Sequence, residues 1–535
     1  MSAQLNGNRR GRRFDLHWLI LLLLILIVCA PLTYPGTIQA HSGFLPLYNL
    51  YHLETKGFTL TWAPTVGRAF DLLRGEGPLP YLLAELLRGL GASGVAAVKA
   101  IFGLGLLAGG LGMYGWGRRR LGRRGALLAA LVYACWPYGL ATLYVRGALA
   151  ETLFLGILPW ALWGLRSLQH RRPWAAAAVA LSLALLIWTQ AGLALWAAVV
   201  LLAYGLLTQQ RARLWTVAGM AAGLLLGAAG LWPLMAERGP GASGVHFADH
   251  FVYPFQLLSP AWGQGTSVPG WMDSFPLQVG FVAVGLAVLA VIWLSTLPKA
   301  DRQPEDARPL WVCAGLSMAL VLLALTWAAP LWRLPGLSQA SRSLTYPWQL
   351  LGLAGPFLAL LSGSFVTMAL GRAAKSQGRV LWAALVALTL LASYPYLQPL
   401  TTSYEPGAAP LAVLGENDLL LLDAQVAGPL QPGETAVLTV RWQPLRPLPQ
   451  DYTVFVHALD GALARWGQQD TQPQSGEYPT SQWQVGEIVE DSYEVRIDAA
   501  GPPESYHLNL GLYDWQTGDR MKVGDDDKII IGMQP

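Results

Sequence analysis

The chain has 535 residues, of which 53% are hydrophobic and only 13% are charged. Both values are far from those of an average soluble domain, and many apolar runs reach the roughly 20 residues that a helix needs to cross a bilayer. From Pro399 onward there are 20 acidic and 7 basic residues, whereas the rest of the chain has 12 acidic and 29 basic ones. Because these basic residues lie in short loops between apolar runs, they indicate membrane topology and exclude a nucleic-acid-binding surface.

The N-terminal segment is basic up to Arg13 and continues into a leucine-rich run, His17–Tyr34. A cleaved signal peptide is the alternative interpretation, but Thr37–Ala40 is a poor cleavage sequence and many apolar runs follow. We therefore predict a cytoplasmic N-terminus at 1–16, followed by a first span that acts as a signal anchor.

Further apolar runs are predicted to bring the number of membrane spans to about eleven. The short loops on one side, such as Arg118–Arg124, are rich in arginine and lysine, so the positive-inside rule makes this side cytoplasmic. An odd number of spans then places the C-terminal part outside. The charge pattern also favours a division of 173–208 near Gln190. The predicted runs are 93–117, 125–145, 149–166, 173–188, 190–208, 214–236, 276–297, 309–331, 346–370 and 379–396.

Three long loops, 35–92, 238–275 and 332–345, are predicted to face the outside. Leu79–Gly91 repeats leucine at helical spacing but is too short to span, which predicts an amphipathic helix in the outer interface. Phe44–Leu53 is a second candidate for such a helix. An ordered outer loop of this length is typical of an active site or a docking surface.

The segment Leu143–Leu153 joins two apolar runs and holds the only charged residues between Arg124 and Arg166, namely Arg146 and Glu151. Charges at such a place are costly unless they are paired, solvated or used in function. A turn at Gly147 would put Glu151 in the first turn of the next helix, where the helix dipole favours an anion. Two interpretations remain open. The two charges belong to a functional site, or they mark helix ends at the lipid headgroups.

The acidic residues of the membrane part all map to its two faces, and none lies in the middle of a span. This distribution argues against an ion-driven transporter. On the outer face, Asp249 and His250 form a compact acid/base pair among aromatic residues, with a solvated loop as the alternative. No Cys/His spacing typical of a metal site occurs.

The C-terminal part alternates apolar and polar residues with period two, for example from Thr435 to Trp442, between turns rich in proline and glycine. This pattern predicts an antiparallel β-sandwich at 410–535 after a linker at 398–409. Gly524–Lys528 weakly resembles a calcium loop, and a polar turn is the alternative. The expected protein is therefore a polytopic α-helical membrane domain, 17–397, with an extracytoplasmic β-sandwich domain.

Short segments spread over nearly the whole chain are similar to a known group of bacterial proteins. They are Leu79–Gly91, Tyr144–Glu151, Asp249–Pro260, Ser267–Gly270 and Tyr346–Trp348, and in the tail Asp451–Asp460, Tyr478–Glu487 and Gly511–Asp514. The group is the membrane-protein family labelled "6-pyruvoyl-tetrahydropterin synthase-related", which resembles the GT-C-type integral-membrane glycosyltransferases. We find no pterin chemistry in the sequence.

The resemblance implies transfer of a sugar, with inversion, from a polyprenyl-phosphate donor to a glycan, lipid or protein acceptor at the outer face of the cytoplasmic membrane. In such a reaction a carboxylate takes the proton of the acceptor hydroxyl. Arg, Lys or a divalent cation such as Mg²⁺ or Mn²⁺ offsets the charge of the lipid phosphate. The candidate catalytic residues are Glu151, Asp249, His250 and His41, and the candidate phosphate-binding residues are Arg146 and Arg342.

Three polar positions depart from the pattern that the resemblance implies. Ser42, Gln190 and Gln349 stand where Asp, His and Arg are expected. Glu54 or Asp71 could substitute for the missing aspartate, or the protein is a catalytically silent GT-C-like scaffold or glycan-binding subunit. A transporter is a third alternative. Convergence of Glu151, Asp249 and an arginine on one cavity would favour the enzyme, and an isolated Arg146–Glu151 pair would favour the scaffold.

Overall fold

The computed structural model describes residues 15–38, 46–47, 49–50, 76–169, 174–236, 247–264, 267, 269–273, 275–296, 304–372, 374–402, 410–415, 418–445, 447–484, 486–503, 506–523 and 526–532. A helical part is followed by a part made of β-sheets. The helices are α1 (Leu16–Val28), α2 (Leu79–Gly89), α3 (Gly94–Ala134), α4 (Pro137–Tyr144), α5 (Leu149–Leu168), α6 (Trp174–Thr189), α7 (Ala191–Thr208), α8 (Arg213–Ala236), α9 (Phe281–Thr296), α10 (Pro304–Ala324), α11 (Pro335–Ser341), α12 (Leu350–Arg372) and α13 (Lys375–Ser393).

The helical part has the apolar character of a membrane domain. Within the described ranges, six helical segments are long and apolar enough to cross a membrane. Each predicted run overlaps a helix of the structure. The run 93–117 lies in the first half of α3, and the run 125–145 covers the second half of α3 together with α4. The number of crossings, expected to be about eleven, stays a prediction.

The helix α3 reverses direction at Gly122, where the backbone has φ +66° and ψ −175°. A positive φ is readily adopted only by glycine. The two halves pack against each other, because a Cβ on Gly109 would lie 3.0 Å from the Tyr133 ring. The predicted basic loop Arg118–Arg124 is therefore the tip of a helical hairpin.

The helices α6 and α7 are separate and meet at Gln190, whose backbone is extended with φ −155°. Small residues let α8 approach α6 closely, as is common between membrane helices. Three glycines on α8, spaced four residues apart, lie on one side of the helix, and each faces a branched side chain of α6. The facing pairs are Gly219 with Val179, Gly223 with Leu183, and Gly227 with Ile187.

The predicted amphipathic segment forms α2, whose buried face includes Tyr81 and Ala84. The opposite side exposes Leu82, Leu86 and Leu90 by 41%, 62% and 78%. An apolar stripe that the protein leaves uncovered is expected of a helix in the membrane interface.

The C-terminal part consists of two four-stranded antiparallel sheets. One has the strand order β3 (Ala412–Leu414), β4 (Leu419–Ala427), β5 (Thr435–Pro444), β8 (Val489–Arg496), and the other has the order β10 (Ile529–Ile531), β9 (His507–Asp514), β6 (Tyr452–Leu459), β7 (Arg465–Thr471). The alternating pattern reflects burial, because Ala436 is buried and the side chains of Leu438, Val440 and Trp442 face the shared core. The predicted antiparallel arrangement is confirmed.

Two contacts tie the sheets to the helical part. The short strand β1 (Thr37–Ile38) after α1 pairs antiparallel with β2 (Thr401–Thr402) after α13. In addition, Val413 and Leu420 pack into the apolar core of the helices rather than into the core of the sheets. The chain therefore leaves the bundle at the same end after its first and its last helix.

We predict that residues 410–535 form a soluble domain with cooperative thermal unfolding and β-type circular dichroism when they are expressed alone. Leu420 and Leu421 are neighbours that face different cores. Leu421→Ala should therefore cost the isolated domain about 2–5 kcal/mol, the usual cost of such a cavity. Leu420→Ala should cost little there, because its partners on the helices are missing. Equal losses for the two variants in denaturant unfolding would contradict this division.

Candidate functional site

The turn between α4 and α5 brings Arg146 and Glu151 together. Gly147 has φ +62°, which reverses the chain after α4. The N–H of Arg146 donates to the carbonyl of Ala141 at 2.8 Å and closes the end of that helix. Glu151 then lies in the first turn of α5, as the sequence predicts.

The carboxylate of Glu151 is fully hydrogen-bonded and only 1% exposed. Its Oε2 accepts from Nη1 of Arg146 at 2.7 Å and from Nε2 of Gln349 at 3.2 Å. Its Oε1 accepts from the hydroxyl of Tyr138 at 2.5 Å. Three segments, namely α4, α5 and the turn before α12, therefore meet at one buried charge.

The guanidinium of Arg146 lies over the ring of Trp348, 4.7 Å from its centroid. This distance is well within the range of a cation–π interaction. Tyr346 stacks on the same indole with ring centroids 4.4 Å apart. The Nε of Arg146 is buried and has no hydrogen-bond partner among the residues that the structure describes. The ion pair is thus enclosed by aromatic rings, with one donor unused.

A second carboxylate, Glu76, lies at the start of α2. Its segment is anchored where the N–H of Gly77 donates to the carbonyl of Thr189 at 2.7 Å. A Cβ on Gly77 would come within 2.1 Å of the carbonyl oxygen of Trp188, so only glycine fits this approach. The anchor fixes Glu76 beside the junction of α6 and α7.

Glu76 is partly buried and accepts a hydrogen bond at Oε2 from the hydroxyl of Tyr81. That hydroxyl in turn accepts from Nδ2 of Asn49 at 2.8 Å. Burial raises the pKa of Glu76, and the negative charge of Glu151 raises it further, against the lowering effects of Tyr81 and Arg146. Its Oε1 has no hydrogen-bond partner among the described residues. Glu76 therefore belongs to the same ionisable centre but keeps one oxygen open.

The structure separates the expected pair of Asp249 and His250. Asp249 is exposed, whereas His250 is 7% exposed. The Nδ1 of His250 lies 3.0 Å from Oγ of Ser267, which donates to Oδ2 of Asp273 at 2.6 Å. The acidic partner of this histidine is thus Asp273, reached through a serine, rather than its neighbour in the sequence.

His250 is nevertheless connected to the Arg146 centre. Its ring lies edge-on against Tyr346, with centroids 5.0 Å apart. Tyr346 stacks on Trp348, which carries Arg146 on its ring. One continuous set of aromatic contacts therefore joins the histidine to the buried ion pair.

The other predicted site residues lie elsewhere. Arg342 is exposed and forms no ion pair with any described residue. The Oε1 of Gln190 is buried without a partner in the described part of the chain. Predictions for His41, and for Ser42, Glu54 and Asp71, concern positions outside the described residues.

A small apolar groove begins next to the turn at Gly147. The charged side chain in its wall is Lys99, whose Nζ donates to the carbonyl of Tyr34 at 2.5 Å. The groove thus offers a cation beside apolar walls. Those walls include Ile38, Leu47, Val95, Val98 and Phe102.

Several residues of the centre could not be predicted from the sequence. Tyr138 has no polar motif around it, Trp348 is noted only within a segment that resembles the family, and Gln349 is noted only as a departure from an expected arginine. Within the described ranges, no group of three or more His, Cys, Asp or Glu side chains is placed to hold a metal ion. The expectation of a divalent cation therefore stays a prediction.

We predict opposite effects of removing the two charges. Glu151→Gln should cost about 3–5 kcal/mol, because it leaves the buried Arg146 without its counter-charge. Glu76→Gln should raise stability at pH 7, because a carboxyl whose pKa is raised on folding destabilises the folded state once it ionises.

The pH dependence gives the check. The folded wild-type protein should lose stability relative to Glu76→Gln as the pH rises from the unfolded-state pKa of about 4.3 through the raised folded value. Near pH 4 and below, the two proteins should unfold at similar temperatures. Thermal unfolding in detergent from pH 4 to pH 8 measures this. A Glu76→Gln protein that is less stable than wild type at pH 7 would contradict the assignment.

The chain is similar to two solved structures over most of its length. With arabinofuranosyltransferase AftD from Mycobacteria it shares 19% identity and a TM-score of 0.47, over 74% of this chain and 28% of AftD. With ArnT from Cupriavidus metallidurans, solved with bound undecaprenyl phosphate, it shares 15% identity and a TM-score of 0.44, over 71% of this chain and 65% of ArnT. The chain thus spans less than two thirds of either protein.

Sequence comparison identifies the family. No curated protein matches the chain. The sequence profile of the family described as "6-pyruvoyl-tetrahydropterin synthase related domain; membrane protein" matches residues 77–400, which is more than half of the chain and includes Arg146 and Glu151. The chain therefore belongs to this family of membrane proteins.

Proposed function

We propose that this protein transfers a sugar from a polyprenyl-phosphate carrier to an acceptor at the outer face of the cytoplasmic membrane. The observation that carries the proposal is the ionisable centre of Glu76, Arg146 and Glu151, which combines a buried cation with a carboxylate that has one donor in the described part of the chain. A glycosyl transfer needs both, because the acceptor hydroxyl loses a proton and the leaving lipid phosphate gains charge.

In this proposal Glu76 accepts the proton of the acceptor hydroxyl. Its raised pKa favours that role, because a base whose pKa lies closer to the working pH transfers protons more effectively. Arg146 offsets negative charge on the phosphate, and Glu151 holds Arg146 in place. The groove with Lys99 suits a hydrocarbon chain that carries an anionic head. Arg342 remains a candidate for the phosphate, and His250 and His41 for orienting the acceptor.

A divalent cation, Mg²⁺ or Mn²⁺, is a candidate cofactor. Both ions take oxygen ligands, and Glu76 offers one open carboxylate oxygen. That single oxygen would need further ligands, for which His41, Glu54 and Asp71 in the first outer loop are candidates. The proposal does not depend on the cation, because Arg146 already supplies positive charge.

The second candidate function is a catalytically silent membrane scaffold or glycan-binding subunit. The saturation of Glu151 by Arg146, Tyr138 and Gln349 favours it, since a carboxylate with three donors has little capacity left for chemistry. The departures at Ser42, Gln190 and Gln349 point the same way. The enzyme remains our preferred candidate because, within the described ranges, Glu76 has Tyr81 as its single donor.

The proposed activity can be tested with purified protein in lipid vesicles and a panel of polyprenyl-phosphate sugars, with released polyprenyl phosphate as the readout. Glu76→Gln should lower the rate about 10²–10⁴-fold, the usual contribution of a general base. Glu151→Gln should lower the amount of folded protein, and the protein that folds should also lose rate, because Arg146 is no longer held by its counter-charge. Glu85→Gln, in the same outer loop but paired with Arg88, is the matched control and should be unaffected.

Two outcomes of this assay decide between the candidate functions. Wild-type activity in the Glu76→Gln protein would remove Glu76 from the reaction. A wild-type protein that is inactive with every donor, while stable and folded, would favour the silent scaffold.

We also propose that the N-terminus is cytoplasmic and the β-domain extracytoplasmic, from the charge asymmetry of the short loops. The native cysteines Cys29, Cys135 and Cys313 are buried and give little background. A cysteine introduced by Ser475→Cys in the β-domain should react with an impermeant thiol reagent in intact cells. One introduced by Ser376→Cys at the start of α13 should react only after lysis. The reverse labelling pattern would overturn this orientation.

A further inference from the structure

A second cavity, of about 70 Å³, lies at the end of the bundle where α13 leads towards the β-sheets. It is much larger than the roughly 10–15 Å³ that one water molecule needs, so it can hold part of a ligand. Much of its wall comes from the start of α4, the start of α9, and the end of α13 with the turn that follows it. These residues are Trp136 and Pro137, Gly280 and Phe281, and Ala392 and Tyr396.

The starts of α4 and α9 are held together at this cavity. Gly280 has φ +86°, and a Cβ at this position would lie 2.8 Å from Cδ of Pro137, so the close contact needs glycine. Next to it, Nε1 of Trp136 donates to the carbonyl of Val279 at 2.8 Å. This part of the wall is therefore fixed by a tight contact and by a hydrogen bond from a buried side chain.

The cavity borders the part of the helical surface that faces lipid. Phe281, in its wall, is 79% exposed, and Leu391, next to Ala392, is 71% exposed. Exposed apolar side chains of a membrane domain are in contact with the hydrocarbon of the bilayer. None of the residues that line the cavity is charged. A neutral hydrocarbon chain that comes from the membrane therefore fits this cavity better than an anionic group does.

The cavity and the groove beside Gly147 lie at opposite ends of α4. This helix has 8 residues and is about 12 Å long. The ring centroids of Trp136 and Tyr138 are 5.3 Å apart, and the hydroxyl of Tyr138 donates to Glu151. Two openings therefore flank the ionisable centre, and the head groups of two lipids, one at each opening, would meet there.

We propose that this cavity holds the hydrocarbon chain of the acceptor, so that the acceptor is a lipid-linked molecule of the same membrane. The inference rests on the proposed function and names the class of its acceptor. The donor keeps the groove beside Gly147, where the cation of Lys99 suits its phosphate. In the transfer step the acceptor hydroxyl oxygen bonds to the anomeric carbon, and the bond from that carbon to the phosphate oxygen breaks. Glu76 takes the proton, and polyprenyl phosphate leaves.

Alkyl glycosides test the need for a chain, because a dodecyl and a methyl glycoside present the same sugar with and without a hydrocarbon tail. A panel of both is offered as acceptors to the purified protein in lipid vesicles, with polyprenyl-phosphate sugars as donors. We expect kcat/KM to be at least about tenfold higher for the dodecyl members, because a chain bound in the cavity positions the head group. Equal values for the two sets would overturn the proposal.

Two alanines of α13 separate binding in the cavity from mere enrichment of the dodecyl glycosides in the membrane. Ala392 and Ala387 are both exposed, and of the two Ala392 lines the cavity. Ala392→Trp should fill the cavity and remove the advantage of the dodecyl chain, whereas Ala387→Trp should keep it. The KM for the donor should stay unchanged in both variants. An advantage of the dodecyl chain that survives in Ala392→Trp would overturn the proposal.

A binding measurement tests the cavity without relying on activity. The cysteine introduced by Ala392→Cys should react with N-ethylmaleimide in lipid nanodiscs, and the wild type, whose Cys135 also lines the cavity, gives the background. Dodecyl glucoside at ten times its dissociation constant should slow this reaction about tenfold. Methyl glucoside should give no protection, and Ala387→Cys should not be protected by either compound.

The two measurements separate this inference from the proposed function. If no sugar is transferred but dodecyl glucoside protects Ala392→Cys, the proposed function fails and the cavity remains a site for the chain of a lipid-linked sugar. If dodecyl glucoside does not protect Ala392→Cys, the site itself is overturned, whatever the activity.

Discussion

The buried ion pair between Arg146 and Glu151 is the interaction on which the candidate site depends. Removing two charges from water costs several kcal/mol for each ion, and only close pairing with further hydrogen bonds offsets that cost. Here the two side chains meet at 2.7 Å, and Tyr138 and Gln349 occupy the remaining capacity of the carboxylate. The pair therefore fixes α4, α5 and the turn before α12 relative to one another.

This arrangement divides the work between two carboxylates. Glu151 is saturated with donors, so its charge is committed to holding Arg146. Glu76 shares the same electrostatic environment but has one donor among the residues that the structure describes, Tyr81, and a raised pKa. A protein that keeps a partly buried carboxyl with an open oxygen pays for it in stability, which is a common property of functional groups.

The sequence predicted where the site lies better than it predicted which residues form it. Arg146 and Glu151 stand alone in an apolar stretch, and this was enough to predict a site there, because an unpaired charge is rarely tolerated in such a stretch. Gln349 bonds Glu151 across 198 residues of sequence, and no local pattern encodes such a contact. Asp249 and His250 are a wrong prediction of the opposite kind. They are adjacent in the sequence, but the structure does not bring their side chains together. The strands of the C-terminal part could be predicted, because successive side chains of a pleated strand point to opposite faces and are buried in alternation.

The departure at Gln349 has a physical consequence for the whole centre. The Oε1 of Gln349 accepts from the N–H groups of Thr345 and Tyr346, while its Nε2 donates to Glu151. An arginine has no acceptor and could not fill both roles. It would also add a second cation beside the two carboxylates. With glutamine, one cation faces two acidic groups, and burial together with the negative charge of Glu151 raises the pKa of Glu76. The substitution is therefore compatible with a centre in which the carboxylate of Glu76 accepts a proton.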